Sequence, residues 1–62
     1  MQKQMGKMLK TGDKVRYISD AYKEYQGQVM TAVGFDIQHR LMWLCGEDGG
    51  EIPAFWDEIE VV

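Results

Sequence analysis

The chain has 62 residues, 45% of them hydrophobic, a single cysteine and a formal net charge of −3. That length allows one domain, which buries only ~60% of the surface its unfolded chain exposes, and a buried catalytic pocket with its supporting residues is hard to fit in it. A lone Cys45 excludes an intrachain disulfide, and Cys45 with His39 gives only half the ligand set of a structural zinc.

Tight packing or a second copy of the chain must then supply the stability that small domains often take from staples, so a homodimer is held open. No stretch approaches the ~20 apolar residues of a membrane span. The basic start, MQKQMGKMLK, lacks the apolar run of a secretory signal. A reducing, cytoplasmic setting is therefore expected. The charge is uneven along the chain. Residues 1–23 carry a net +4 and residues 24–62 a net −7. This asymmetry fits either a nucleic-acid arm beside an acidic face or, more plainly, two solvated faces of one domain.

Residues 1–10 are polar and contain Gly6. Met5, Met8 and Leu9 have the spacing of one helical stripe, but no residue caps it, so a flexible basic arm is expected. Thr11-Gly12-Asp13 is turn chemistry. Lys14–Ser19 alternates, with Val15 and Tyr17 facing inward, and reads as a first strand. Residues 20–27 form a long polar loop with Tyr22 and Tyr25. Gln28–Phe35 is a second strand, with Val29, Thr31 and Val33 on one face and Met30 and Ala32 on the other, and Gly34 ends or bends it. Both faces are apolar, which marks a central strand.

Residues 35–40 make a turn. Leu41, Trp43 and Cys45 then alternate with Met42 and Leu44 in a third strand, also central. Asp48-Gly49 is the strongest hairpin turn in the chain. Glu51–Phe55 is a short strand in which Pro53 lacks a ladder donor and belongs at an edge or a strand end. Trp56-Asp57-Glu58 suits a single 3₁₀ turn, and Ile59–Val62 is a last short strand. The expected core is Val15, Tyr17, Val29, Thr31 or Ala32, Val33, Leu41, Trp43, Ile52 and Ile59. Of Phe55 and Trp56, one ring is expected to plug the end of the fold and Trp56 to face water. Five short strands without a substantial helix predict a small barrel over residues 11–62, because an open sheet of that size exposes edges and core.

The motifs resemble those of the SH3-like barrels. GDKVRYI (12–18) looks like the opening strand of many such domains. YQGQVMTAVG (25–34) is similar to the strand of the KOW-like branch, with Gly27 at its first glycine and Met30 at its second. DGGEIPAF (48–55) resembles the hairpin of SH3 proper that leads into a 3₁₀ turn, which places Trp56 near a peptide-binding aromatic. GDKVR and YQGQV also resemble the opening of type II dihydrofolate reductases, but Gly-Glu-Ile-Pro stands where that family has Val-Gln-Ile-Tyr, so no enzyme is expected. The resemblance implies a binding or adaptor module. By the SH3 branch its partner is a protein or peptide, held by Tyr22, Glu24, Tyr25, Trp56 and Asp57, with Trp43 and Pro53 as further candidates. By the KOW and Tudor branch it is nucleic acid, met by Lys14, Arg16 and Lys23. The first reading is preferred, because phosphate binding disfavours the acidic remainder of the chain.

Single residues add little chemistry. Cys45 lies in an apolar strand, where a thiol is inert. His39 has no evident partner for acid–base work. The acids of residues 47–60 match no calcium loop, and no cofactor is expected. Tyr22 and Tyr25 either fold back on the core or face a partner, with little to choose between them. The short, Met-rich chain also suits a phage or mobile-element protein.

Overall fold

In a computed structural model, described over residues 9–62, five strands follow in the order β1 Lys14–Tyr17, β2 Val29–Asp36, β3 Leu41–Cys45, β4 Glu51–Phe55 and β5 Ile59–Val61. Two 3₁₀ turns, Lys23–Tyr25 and Trp56–Glu58, are the only helical elements among the described residues. All pairings are antiparallel, and the strands lie in one sheet in the order β4-β3-β2-β1-β5. The sheet does not close by hydrogen bonds, since β4 and β5 are its two edges. The arm expected over residues 1–10 falls mostly outside the described residues. Within them, Leu9 packs against the core, and Asp13 ties back to Lys10 through paired 3.0 Å hydrogen bonds.

The chain is nevertheless strongly curled. Only three residues join Phe55 at one edge to Ile59 at the other, a reach of at most ~14 Å. Edge strands of a flat five-stranded sheet stand ~19 Å apart. The sheet must therefore wrap so that its edges approach at the second 3₁₀ turn. The eight-residue β2 takes the bend. Its first residues pair with β1 and its later ones with β3, with a register shift between Ala32 and Gly34 that leaves Val33 unpaired in a bulge. Bulges bend a strand and add twist.

Wrapping buries one face. Val15, Tyr17 and Ile52 are there as expected, as is Ala32 rather than its alternative Thr31, and they are joined by Met30, Met42, Leu44, Ala54 and Tyr25. On β2 and β3 the expected face is the wrong one. Val29, Val33 and Trp43 are 37%, 39% and 41% exposed. Thr31 and Leu41 are only half-buried, on the same outer side. Ile59 is half-buried against the core.

The cause is the β3–β4 hairpin. A two-residue turn at Asp48-Gly49 pairs Cys45 with Ile52. In the structure the Gly46 N–H instead donates to the Gly50 carbonyl at 2.8 Å, so the loop has three residues, ending on Gly49 at φ 87°. That is the bulged hairpin in which a left-handed residue follows a turn. One extra loop residue moves the register by one, so Leu44 faces Ile52 and Met42 faces Ala54. A one-residue slip turns every side chain of a strand over. β2 follows, with Ala32 opposite Leu44.

Candidate functional site

The second 3₁₀ turn carries the most exposed aromatic surface, and Glu58 fixes it. One Glu58 carboxylate oxygen accepts the Phe55 N–H and the other the Ser19 hydroxyl, each at 2.9 Å. The Glu58 carbonyl accepts the Ile18 N–H, also at 2.9 Å. One residue thus ties the end of β4 to the loop after β1. Neither neighbouring ring plugs the sheet, contrary to expectation. Phe55 is 52% and Trp56 45% exposed, because the inward positions of β4 belong to Ile52 and Ala54. Trp56 lies nearly parallel to Phe35, with centroids 6.2 Å apart and planes 16° apart. Phe35 packs against the core, so one face of Trp56 is backed by protein.

Arg40, Phe55, Trp56 and Asp57 line a shallow, open groove of about 460 Å³. Arg40 arrives there from the β2–β3 turn, at φ 60°. That turn is fixed by Asp36, whose carboxylate accepts the His39 N–H at 3.1 Å and meets His39 Nδ1 at 2.8 Å. The His39 contacts hold the Asp36 carboxyl below its ordinary pKa. Apart from the His39–Asp36 contact no salt bridge occurs among the described residues, so the Arg40 and Asp57 charges in the groove are unpaired there.

The remaining candidates are dispersed. Tyr25 is buried, and its hydroxyl donates to Asp48 at the β3–β4 hairpin loop. Trp56 follows the opposite end of that hairpin, ~15 Å away along the strands, so Tyr25 and Trp56 do not share a surface. Tyr22 is half-buried, its ring tilted against Tyr17 at 6.4 Å. Glu24 is exposed, and its carbonyl accepts the Gln28 side-chain amide at 2.8 Å. Lys14 and Arg16 share the outer face of β1. Arg16 is opposite Val29 and Glu60 and donates to the Gly27 carbonyl at 2.9 Å. Lys23 is exposed on the first 3₁₀ turn. Cys45 is half-buried, with its thiol 3.5 Å from the Gly46 carbonyl. No cluster of three His, Cys, Asp or Glu able to hold a metal occurs among the described residues.

Sequence reasoning missed Arg40 and the backing role of Phe35. Nothing in the chain signals a left-handed arginine, since such positions usually carry Gly, Asn or Asp. Comparison with family models, curated proteins and solved structures finds no match to this chain. Function therefore rests on the site alone.

Proposed function

We propose that the chain is a non-enzymatic binding module of SH3-like plan whose protein partner seats an extended peptide segment in the groove at Trp56. The strand order β5-β1-β2-β3-β4, the long loop after β1 and the three-residue link from β4 to β5 support that plan. The observation that carries the function is Trp56 itself. A large ring, backed by Phe35 and half open to water, lies beside Phe55, between a free cation at Arg40 and a free anion at Asp57. Aromatic rings with charged neighbours give a peptide both contact area and register. The partner segment is accordingly apolar at its centre, with a basic group near Asp57 and an acidic one near Arg40.

Selection from a random-peptide display library, followed by titration of the selected peptides, tests this reading. Trp56→Ala should weaken binding about tenfold or more, and Asp57→Asn should remove the preference for a basic residue. Selected peptides that bind Trp56→Ala as well as the parent would overturn it. So would a failure to select any peptide combined with steeply salt-dependent binding to RNA or DNA, which would favour Lys14, Arg16 and Lys23 instead.

A further inference from the structure

The outer face of the sheet has the wrong composition for a surface left in water. On β2, β3 and β4 its apolar residues are Val29, Val33, Leu41, Trp43, Pro53 and Phe55, and its only charges, Asp36 and Glu51, stand at the corners. Soluble monomers rarely expose a contiguous apolar patch beyond a few hundred Å². The β4 edge offers no route for strand pairing. By alternation from the Gly46–Gly50 bond, residues 51, 53 and 55 aim their backbone groups outward. Pro53 has no N–H, and the Phe55 N–H is taken by Glu58. An edge so blunted does not template another strand. Whatever covers this region covers the face.

The charge pattern indicates what covers it. Lys14 pairs with Thr31, Thr31 with Cys45 and Cys45 with Glu51. These four residues form one row across the sheet, with a cation at the β1 end, an anion at the β4 end and two uncharged side chains between. Neither Lys14 nor Glu51 makes an ion pair among the described residues. A twofold axis parallel to the strands, between β2 and β3, lays this row over its own reverse. Each Lys14 then faces Glu51 of the other copy, Thr31 faces Cys45, and Trp43 lies near the axis. A surface complementary to itself in this way is what a twofold dimer requires.

We propose that a second copy of the chain docks on this face, with Trp43 as the central anchor and reciprocal Lys14–Glu51 contacts at the rim. The accessible surface of the chain is 4310 Å². A contact of ~600 Å² per partner, the lower end of stable interfaces, takes about a seventh of it. Two curled sheets touching at their outer faces suit that size. The groove at Trp56 involves different residues apart from Phe55 at the rim, so failure of one proposal leaves the other standing.

Sedimentation equilibrium of the full chain, from micromolar to millimolar concentration, tests the dimer. The parent should show a concentration-dependent monomer–dimer equilibrium. Trp43→Glu and Lys14→Glu should each weaken it about tenfold or more. Lys14→Glu combined with Glu51→Lys in one chain should restore it to within about threefold of the parent. A parent that stays monomeric at millimolar concentration overturns the proposal. A dimer indifferent to Lys14→Glu overturns it as well, as does a double variant no better than the single one. Should Trp43→Glu fail to fold by circular dichroism, the two exposed rim positions carry the test alone.

Discussion

The Tyr25 hydroxyl donates to both carboxylate oxygens of Asp48, at 3.1 and 3.0 Å, while the Gly50 N–H reaches the first of these oxygens at 2.9 Å. The tie pins the β3–β4 loop onto a buried ring, and it leaves no room for a Cβ on either flank. A Cβ at Gly46 would stand 2.8 Å from Tyr25 Cε1, and one at Gly50 would overlap the Tyr25 hydroxyl.

Gly50→Ala should therefore cost about 1–3 kcal/mol through overpacking. In a Tyr25→Phe background, where the overlapping oxygen is gone, the same substitution should cost less than half as much. A double-mutant cycle by urea denaturation measures the coupling. Equal costs in the two backgrounds would refute the contact.

The same tie sets a pH window. Asp48 is held below its ordinary value of 3.8, first by the Gly50 N–H and then by the Tyr25 hydroxyl. Its charged form is favoured by folding, so its contribution is complete above pH 3.8 and is lost as pH falls through the lower folded value. Tyr25 is raised above 10.0, chiefly by the hydrogen bond to Asp48. The neutral phenol is favoured, so that contribution is complete below pH 10 and is lost as pH climbs through the higher folded value. The melting temperatures of the parent and Asp48→Asn should differ by a constant amount at neutral pH and converge in acid. Asp36 titrates in the same acid range in both proteins and cancels from the difference. A gap that persists unchanged in acid would contradict the assignment.

The parity of β3 predicts an order of stabilities. Leu44 is fully buried, so Leu44→Ala should cost about 2–5 kcal/mol. That is enough to unfold most molecules of a domain this small. Trp43, half out in water, should cost about 1 kcal/mol or less in the monomer when cut to Ala. Chemical denaturation at dilute protein concentration ranks the two, and the reverse ranking would restore the opposite face to the core.

Tyr17 is fully buried, and its hydroxyl has no hydrogen-bond partner among the described residues. An unsatisfied buried group carries a desolvation cost of about 1–3 kcal/mol. Tyr17→Phe should accordingly leave thermal stability unchanged or raise it. A loss of more than about 1 kcal/mol would reveal a partner for that oxygen.

Arg40 sits at φ 60°, where a side chain costs roughly 1–2 kcal/mol that glycine avoids. After glycine's own entropic cost, Arg40→Gly should stabilise the fold by up to about 1 kcal/mol. It should also weaken any peptide held in the Trp56 groove. Stability and binding moving in opposite directions would separate the strained residue's role at the groove from its role in the turn.

The strand positions were readable because turns and alternation mark them. Lys14 and Arg16 alternate with Val15 and Tyr17, so only one face of β1 suits a core, and that face is the buried one. β2 and β3 are apolar on both sides, and hydrophobicity cannot choose between Trp43 and Met42. The choice rests on whether a Gly-Glu-Asp-Gly-Gly loop turns in two residues or three. Asp48 decides it, by binding Tyr25 and Gly50 across the loop. That contact joins residues twenty-three positions apart and has no local signature. Trp56 was recognisable as an exposed aromatic, whereas its backing by Phe35 and its neighbour Arg40 depend on the curl of the sheet.

The pairing of β1 with β5 also has a kinetic consequence. Val15 meets Val61 and Tyr17 meets Ile59, partners more than forty residues apart, whereas β2, β3 and β4 are joined by short turns. Closing a long loop costs more entropy than closing a hairpin, and folding slows as contacts become less local. The β2–β4 meander is thus the natural nucleus, and β5 docks last. Destabilising changes at Ile59 should accelerate unfolding while barely altering the folding rate, and those at Leu44 should slow folding. The strand that completes the core is also the first to come loose.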